Sequence, residues 1–446
     1  MEGGIWVVVL VFLSHVASSQ SSHSSNAKLL MSLKSAIVDP AGFLDGWREA
    51  NSSHYCFWAG VQCDAFDRII SLDISNMNLS GQITPQLGHF HSLVNFTVAA
   101  NKFTGSFPSN ITNAVGLKSF NISHNMFVGK FPSNFSTLKA LEILDANDNN
   151  LTGPLPLEVY HIPNLRYFHL GGNYFSGSIP PEYGKWEHLE YLAVGTNDLD
   201  GKIPADLGNL SRLRELYVGH YNDFDGGIPA EIGRLCNLVI LDMADSGLSG
   251  PIPPELGNLK RLDTLFLFKN KLSGPIPPEL GSVLSLKYMD LSKNELSGEI
   301  PEEFSKLKEL TLLQLFVNTL HGSIPSFIGD LPKLEVCCLY NNNFTGWIPP
   351  QLGRNGKLEI VDLSFNELTG IISLDVCVGG RLEILRLEYN FLFGPIPGAL
   401  GSCMSLITVI TRENYLKGSI PKGLLNLPKL KKIDLRANHL SGRIII

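Results

Sequence analysis

The sequence predicts an α/β solenoid, in which sixteen coils of about 24 residues stack on one another. Three observations predict this fold: a glycine that recurs on a fixed period, leucines that alternate ahead of it, and an Ile-Pro pair that follows it. Fourteen intervals between successive glycines are 24 residues long and one is 25. Such a period indicates one array of similar units, not several independent domains. The recurring glycines are Gly81, Gly105, Gly129, Gly153, Gly177, Gly201, Gly226, Gly250, Gly274, Gly298, Gly322, Gly346, Gly370, Gly394, Gly418 and Gly442.

Each part of the repeat L-x-x-L-x-L-x-x-N-x-L-x-G-x-I-P predicts a local structure. The Leu-x-Leu segment alternates with the period of a strand whose leucines point inward. The asparagine is present in fourteen repeats, and a buried amide must bond backbone groups of the adjacent coil. The proline, present in thirteen repeats, favours an extended or 3₁₀-like return path. Because no coil buries its own leucines, the coils share one core, which defines a leucine-rich-repeat solenoid.

Residues 1–20 are predicted to be a cleaved signal peptide. The apolar run at 5–13 is shorter than the ~20 residues that span a bilayer, and small residues follow it around Ser19. A buried N-terminal helix is the alternative, because the segment carries Glu2 and no basic residue. No later stretch reaches about 18 uncharged apolar residues, so we expect no membrane span in this chain. The solenoid then occupies residues 69–446.

Residues 21–68 are predicted to form a cap that covers the first coil. An amphipathic stretch from Ala27 to Ile37 precedes the sequence Cys56-Phe-Trp-Ala-Gly-Val-Gln-Cys63. Two cysteines seven residues apart, behind a signal peptide, favour a disulfide in a small cap.

The other five cysteines carry weaker signals. Cys377 and Cys403 fall on the return segments of consecutive coils, where a disulfide would join the two coils. Cys236 and Cys337 fall at positions that we expect to be buried, and Cys338 is expected on the concave face. Small buried side chains or a free thiol are the preferred interpretation of these three cysteines.

Nine Asn-x-Ser/Thr sequons predict a glycosylated surface, densest in the N-terminal third. Asn121 falls on a concave strand, where a sugar would block that part of the face. The nine acceptor positions are Asn51, Asn78, Asn95, Asn110, Asn121, Asn134, Asn150, Asn209 and Asn343.

Composition and motifs argue against several functions. The net charge of −7 argues against nucleic-acid binding, and the charged fraction of only 17% argues against disorder. The sequence contains no phosphate-binding loop, H-E-x-x-H or G-x-S-x-G motif, so we expect no enzyme, no cofactor and no metal. The run from Asp145 to Asn150 resembles a calcium loop, but its twelfth position is Pro156 instead of Glu.

A ligand is therefore expected on the concave sheet, where the x positions of Leu-x-Leu face solvent. Aromatic residues there would supply a large contact area at low entropic cost, although tyrosine also has a general preference for strands. The aromatic and histidine candidates are Tyr167, His169, Tyr191, Tyr217, His220, Tyr221, Phe266, Phe268, Tyr288, Phe316 and Tyr340. The acidic candidates, which could bond an extended peptide or pair with its basic residues, are Asp145, Asp148, Asp242, Asp245 and Asp290.

The extent of this stripe matches a short peptide. Coils repeat every ~4.8 Å and an extended chain advances ~3.3 Å per residue, so eight coils cover about 40 Å, or about twelve residues.

The coil with the 25-residue interval reads Tyr217-Val-Gly-His-Tyr221-Asn-Asp-Phe-Asp-Gly226-Gly227. This segment resembles the corresponding repeat of the CLAVATA-type receptor kinases of land plants, including their "barely any meristem" relatives. The C-x-W-x-G-V-x-C pattern of the cap and the L-x-G-x-I-P repeat are likewise similar to plant leucine-rich-repeat proteins. The resemblance implies a right-handed superhelix with a concave parallel sheet, a secreted CLE-type peptide as ligand, and a smaller leucine-rich-repeat co-receptor kinase as partner. It also implies the secretory pathway, with the apoplast as destination, or the plasma membrane if the protein continues past residue 446.

Two features depart from that family. Its members read the carboxylate of the peptide with an Arg-x-Arg pair, at positions that are Thr408 and Ile410 here. Neither side chain forms a bidentate bond to a carboxylate, so Arg412, or Arg386 one coil earlier, is the candidate substitute. The chain also lacks a transmembrane helix and a kinase domain, and its sixteenth repeat holds 17 of 24 residues.

The leading hypothesis is a secreted or ectodomain-only solenoid that recognises a signalling peptide. A truncated, signalling-incompetent fragment of a receptor kinase is the first alternative, because the last repeat is incomplete. An extracellular protein-binding or inhibitor solenoid is the second alternative, and the insertion at His220 and Tyr221 counts against it.

Overall fold

Stacked coils of two short strands and a 3₁₀ turn form the part of the chain that the structure describes, residues 25–106 and 109–443 of a computed structural model. The described coils fall into two compact units, which divide between Leu199 and Asp200 and are called unit 1 and unit 2. The predicted signal peptide lies outside the described residues. The solenoid class that the 24-residue period predicts is confirmed.

The cap at the start of unit 1 packs around aromatic side chains. Its helix covers residues 25–34 and ends before Ile37, which pairs with Gly81 in a short antiparallel ladder instead of extending the helix. The rings of Trp47 and Trp58 are buried and stacked with centroids 5.9 Å apart. The predicted disulfide between Cys56 and Cys63 is present. Next to it, Val61–Cys63 runs antiparallel to Ile69–Asp73 and covers the edge of the first coil.

Two sheets of parallel coil strands run along unit 1, one formed by the Leu-x-Leu segments and one by segments at or just before the recurring glycine, to which Ile37–Val38 of the cap adds an antiparallel edge strand. We call them the Leu-x-Leu sheet and the glycine sheet. The strands of the Leu-x-Leu sheet are Ile69–Asp73, Asn95–Thr97, Ser119–Asn121, Ile143–Asp145, Tyr167–His169 and Tyr191–Ala193. The strands of the glycine sheet are Ile37–Val38, Ser80–Gln82, Lys102–Ser106, Met126–Lys130, Asn150–Gly153, Tyr174–Gly177 and Asp198–Leu199. The 3₁₀ segments are Glu49–Phe57, Pro85–His89, Ser109–Asn113, Ser133–Thr137, Leu157–His161 and Pro181–Lys185.

Unit 2 repeats the same arrangement. The strands of its Leu-x-Leu sheet are Glu215–Tyr217, Ile240–Asp242, Thr264–Phe266, Tyr288–Asp290, Leu312–Gln314, Val336–Cys338, Ile360–Asp362, Ile384–Arg386, Thr408–Ile410 and Lys432–Asp434. The strands of its glycine sheet are Ser249–Gly250, Lys271–Pro275, Glu295–Gly298, Thr319–Ser323, Asn343–Trp347, Glu367–Gly370, Phe391–Gly394, Tyr415–Gly418 and His439–Leu440. The 3₁₀ segments are Ala205–Asn209, Ala230–Arg234, Pro254–Asn258, Pro278–Ser282, Glu302–Lys306, Ser326–Asp330, Gly398–Ser402 and Leu424–Asn426.

The repeat asparagine links neighbouring coils as predicted, as the bonds of Asn294 illustrate. Asn294 is buried, and its Nδ2 donates to the carbonyls of Leu291 in its own coil and Leu267 in the preceding coil, at 3.1 and 3.0 Å. Its Oδ1 accepts the backbone N–H of Leu272 at 3.0 Å. Backbone groups that the tight bend leaves without strand partners are therefore satisfied by one side chain.

The cysteines follow the sequence expectation with one exception. Cys377 and Cys403 form a disulfide between consecutive return segments of unit 2. Cys337 and Cys338 are buried free thiols, the latter on the Leu-x-Leu sheet. The expectation that Cys236 is buried is wrong: it is exposed. It directly follows Leu235, which fills the core, so the chain turns the next side chain outward.

Candidate functional site

In unit 1, the candidate aromatic residues gather on two adjacent strands of the Leu-x-Leu sheet. The strands Tyr167–His169 and Tyr191–Ala193 pair in parallel, so that Tyr167 stands beside Tyr191. Their rings stack with centroids 4.2 Å apart and planes 14° from parallel. Tyr167 Oη and His169 Nδ1 share a hydrogen bond of 3.2 Å. All three side chains are half-buried, so the cluster presents mainly ring edges to solvent.

Burial controls the charge beside this cluster. Asp145 lies one strand away, with its Oδ1 3.7 Å from His169 Nδ1. Burial raises the pKa of the Asp145 carboxyl to about 6 and lowers the pKa of the His169 imidazole to about 4. At neutral pH the carboxylate therefore faces a neutral imidazole, and the pair is not an ion pair.

In unit 2, the candidate residues fall into a straight row across the Leu-x-Leu sheet. Parallel pairing places Tyr217, Asp242, Phe266 and Asp290 side by side on four successive strands. Phe268, two residues beyond Phe266 on the same face, lies with its ring centroid 6.2 Å from that of Phe266. The row thus alternates aromatic and acidic side chains.

The extra residue of the seventh coil changes the surface locally. His220 and Tyr221 both have positive φ, at 64° and 59°, which lets the longer bend project outward. Tyr221 is 76% exposed. His220 turns back toward the next coil, where its Nε2 lies 3.4 Å from Asp242 Oδ2 and its ring 5.9 Å from Phe268. The Asp242 carboxylate raises the pKa of His220, so this histidine takes up a proton more readily than a free one.

The aromatic row continues on later coils of unit 2. Phe316 and Tyr340 stack with centroids 4.4 Å apart and planes 9° from parallel. Tyr288 is exposed. The x positions were expected to face solvent, but most of the candidate aromatic residues are half-buried, in part because the rings of the pairs Tyr167–Tyr191 and Phe316–Tyr340 cover one another.

The acidic candidates in this row are more deeply set than the sequence indicates. Asp242 and Asp290 are each 9% exposed, and their Oδ1 atoms accept the backbone N–H groups of Ala244 and Ser292 at 3.0 and 2.9 Å. Burial raises the pKa of the Asp290 carboxyl. One oxygen of each carboxylate therefore shapes the strand end, and the second oxygen of Asp242 pairs with His220. Of the remaining acids, Asp145 is described above, while Asp148 and Asp245 pair with His124 at 2.8 Å and Lys269 at 2.7 Å.

The two candidate arginines differ in their surroundings. Arg386 is neutralised, because its guanidinium lies 2.6 Å from Glu388 Oε1 and 3.5 Å from Asp362 Oδ2. Arg412 lies over the ring of Tyr389, at 5.1 Å from its centroid, and its Nε is 3.9 Å from Asp434.

Arg412 is thus the more available cation. Thr408 and Ile410, on the strand just before it, offer no charge, and Ile410 is buried.

Sequence reasoning missed Asp362 and Glu388, the carboxylates that neutralise Arg386. Asp362 has the same place in its repeat as Asp242 and Asp290, so the repeat register was a signal that could have found it. Glu388 gave no such signal, because it is 1% exposed at a position where most coils carry smaller or aromatic residues.

Within the described residues, no group of three metal-ligating side chains is arranged to hold a metal ion. Across the same ranges, no helix has the length and apolar character to cross a membrane.

Comparison with known proteins identifies the class. Residues 23–64 match the family described as "Leucine rich repeat N-terminal domain", and residues 116–138, 164–186, 237–259 and 285–307 match "Leucine Rich Repeat". A 107-residue segment is 40% identical to MDIS1-interacting receptor like kinase 1 of Arabidopsis thaliana, and it covers 23% of this chain and 11% of that kinase. The matched length is thus about a tenth of the curated relative.

Solved structures extend the match over most of the chain. The Arabidopsis receptor kinase HAESA, crystallised with the peptide hormone IDA and the co-receptor SERK1, superposes with a TM-score of 0.88. The two share 36% identity over 93% of this chain and 70% of that one. A TDR receptor gives 42% identity and a TM-score of 0.82 over 84% of this chain and 64% of that one. The chain therefore belongs to the plant leucine-rich-repeat receptor kinases, and the part present here is ectodomain, without a kinase domain.

Proposed function

We propose that this chain recognises a short secreted peptide of the CLE type as part of a CLAVATA-type receptor. HAESA, a relative by sequence and fold, was crystallised with a peptide hormone, which supports peptide recognition in this family. The observation that carries the proposal is the row on the Leu-x-Leu sheet of unit 2, where Tyr217, Asp242 and Phe266 stand side by side and Phe316 and Tyr340 stack on later coils. The finer assignment to the CLAVATA type rests on the insertion at His220 and Tyr221.

The row has suitable dimensions and chemistry for an extended peptide. From Tyr217 to Tyr340 it spans six strands, whose five spacings of ~4.8 Å make about 24 Å, or about seven extended residues. Arg412 lies three coils further along, so a peptide that reaches it from Tyr217 is about twelve residues long. Stacked, half-buried rings lose little side-chain entropy on binding, and prolyl rings of a ligand pack well against them. The Asp290 carboxylate accepts hydrogen bonds from the peptide, whereas Asp242 is already paired with His220. Arg412 is the group that receives its terminal carboxylate, since Arg386 is already neutralised.

The location and partner follow from the same proposal. A peptide-binding ectodomain acts outside the cell, in the apoplast or at the plasma membrane, after export by the predicted signal peptide. A leucine-rich-repeat co-receptor kinase is the proposed partner, as SERK1 is for HAESA. The nine predicted glycans fit this location. Seven of the acceptor asparagines are exposed, whereas Asn95 and Asn121 are half-buried on the Leu-x-Leu sheet.

Calorimetry with a panel of synthetic CLE-type peptides tests the proposal. We expect at least one peptide to bind, and Tyr217→Ala or Phe266→Ala to weaken that binding by about tenfold or more, because central aromatics dominate such interfaces. Trp347→Ala is the matched control, since Trp347 lies on the glycine sheet of the same unit and is 61% exposed. Unchanged affinity in both row variants would show that the row is not the binding surface.

A further inference from the structure

Four aspartates of unit 2 hold equivalent places, each as the last residue of a strand of the Leu-x-Leu sheet: Asp242, Asp290, Asp362 and Asp434. In each of them, Oδ1 accepts the backbone N–H of the residue two positions further on, at 2.9 to 3.2 Å. Because this arrangement is shared, the surroundings of the four carboxylates can be compared directly.

Three of the four carboxylates face a basic side chain of the chain itself. For Asp242, Asp362 and Asp434 in turn, the partners are His220, Arg386 and Arg436, at nitrogen–oxygen distances of 3.4, 3.5 and 2.8 Å. A carboxylate that is withdrawn from water is costly unless a cation compensates its charge. The position thus calls for a counter-ion, and in these three strands the chain supplies one.

Asp290 is the exception. It is 9% exposed, as deeply set as Asp242, yet it forms no ion pair with any described residue. Ser292 donates to it but carries no charge, and Lys293 acts on it only from beyond ion-pair distance. Burial raises the pKa of the Asp290 carboxyl, as expected for a charge that is poorly compensated.

The groups around Asp290 are uncharged and attract cations. Parallel pairing places Asp290 between Phe266 and Gln314 of the adjacent strands. The ring of Phe268 lies 6.2 Å from that of Phe266, and Tyr288, on the strand of Asp290 itself, is exposed. The faces of aromatic rings attract cations, and the side chain of Gln314 makes no hydrogen bond with a described residue, so its carbonyl oxygen can accept one. This setting fits a cation that comes from outside the chain.

A guanidinium fits these groups better than an ammonium does. It is planar, stacks on aromatic rings, is weakly hydrated and carries five N–H donors. It can therefore bond to Asp290 and Gln314 together while one face lies against Phe266. Arg386, whose guanidinium lies 3.5 Å from the Asp362 carboxylate, shows the same pairing made within the chain.

We propose that Asp290, with Gln314 and the neighbouring rings, forms a subsite for an arginine side chain of the peptide ligand. The inference rests on the proposed function, because the subsite lies in the row that holds the peptide, and it adds the residue type that the row selects. The strand of Asp290 lies five spacings of ~4.8 Å, about 24 Å, before the strand that precedes Arg412. In an extended peptide the arginine therefore stands about seven residues before the terminal carboxylate.

Saturation-transfer NMR with a capped synthetic pentapeptide, Gly-Pro-Arg-Pro-Gly, tests the subsite on the full chain. A second probe carries citrulline, which has the shape of arginine without its charge, and a third carries lysine. We expect saturable binding of the arginine probe, at least about tenfold weaker binding of the citrulline probe, and several-fold weaker binding of the lysine probe. Phe266→Ala should weaken binding of the arginine probe by a few-fold.

Asp290→Asn removes the charge and keeps an oxygen that accepts the N–H of Ser292. This variant should bind the arginine and citrulline probes equally weakly. Asp330→Asn is the matched control, because Asp330 is exposed on a 3₁₀ segment of the same unit, and it should bind both probes like the wild type. Thermal melting confirms that the variants are folded, and the comparison of probes on the wild type depends on no variant.

Failure of the subsite and failure of the proposed function give different results. The subsite is overturned if the wild type does not bind the arginine probe saturably, if it binds the citrulline or the lysine probe as tightly, or if Asp330→Asn loses as much affinity as Asp290→Asn. A CLE-type peptide with arginine that binds the wild type and Asp290→Asn equally would also overturn the subsite, while the proposed function would stand. If no CLE-type peptide binds but the arginine probe binds in an Asp290-dependent way, the proposed function fails and the arginine subsite stands.

Discussion

At the scale of single residues, burial has a larger effect than ion pairing on the protonation of side chains on the Leu-x-Leu sheet. Asp145 and His169 lie 3.7 Å apart, yet burial raises the pKa of the first to about 6 and lowers that of the second to about 4. A carboxyl whose pKa is raised by folding destabilises the fold above pH 6, and this penalty disappears as pH falls toward 4. An imidazole whose pKa is lowered contributes stability above pH ~6.5 that is lost as pH falls toward 4. The two effects oppose each other across the same range.

Asp145→Asn separates these effects. The amide of the variant cannot ionise, so the variant avoids the cost of burying a carboxylate at neutral pH. The unfolding free energy of the variant minus that of the wild type should therefore be about 1–3 kcal/mol larger at pH 7 than at pH 4. Chemical denaturation between pH 4 and pH 8 measures this gain. Asp198→Asn is the matched control, since Asp198 is exposed on a strand of the same unit and should show no such trend. A difference that does not vary with pH would contradict the assignment.

At the scale of the repeat element, the asparagine holds two coils together through backbone groups. Asn294 makes bonds to both coils, and its removal leaves buried carbonyls and an N–H group without partners. We expect Asn294→Ala to lower the unfolding free energy of unit 2 by about 2–4 kcal/mol. Denaturant titration followed by tryptophan fluorescence measures the change. Asn258→Ala, at an exposed 3₁₀ position of unit 2, is the control and should lower the unfolding free energy by less than about 0.5 kcal/mol. A similar loss of stability in both variants would show that the asparagine bonds between coils do not stabilise the fold.

The same element explains what could be predicted from the sequence. Leu-x-Leu alternation, the asparagine and the glycine each depend on neighbours within one repeat or the next, so periodicity predicts the Leu-x-Leu strands and the asparagine bonds between coils. The cap disulfide follows instead from the spacing of Cys56 and Cys63. The environment of Arg386 depends on carboxylates from two different coils, and its neutralisation by Asp362 and Glu388 was not visible in the local pattern. The stacked rings of Phe391 and Tyr415 were not predicted either, because they lie on the glycine sheet and aromatic side chains were expected only at Leu-x-Leu positions.

At the scale of the whole chain, contacts are local in sequence. Each strand of the two sheets pairs with strands one coil away, as Phe168 does with Leu144 and Leu192. In such an array, stability is a sum of repeat terms and nearest-neighbour terms, so the effect of a core mutation should fade within a few coils. A ligand surface on one coil can therefore change without loss of the fold elsewhere.

Hydrogen exchange measured by mass spectrometry tests this locality. Phe168 is fully buried against Tyr183 and Trp186, with ring centroids 5.4 and 5.1 Å away. Phe168→Ala should cost about 3–5 kcal/mol and accelerate exchange about a hundredfold or more in peptides from residues 143–193. Peptides from residues 336–410 should exchange at the wild-type rate, because these coils do not contact the coils that lose packing in the variant. Phe57→Ala, which removes an exposed ring of unit 1, should leave both regions unchanged. Equal acceleration in both regions would show that the chain opens as one cooperative unit, and the nearest-neighbour description would then fail.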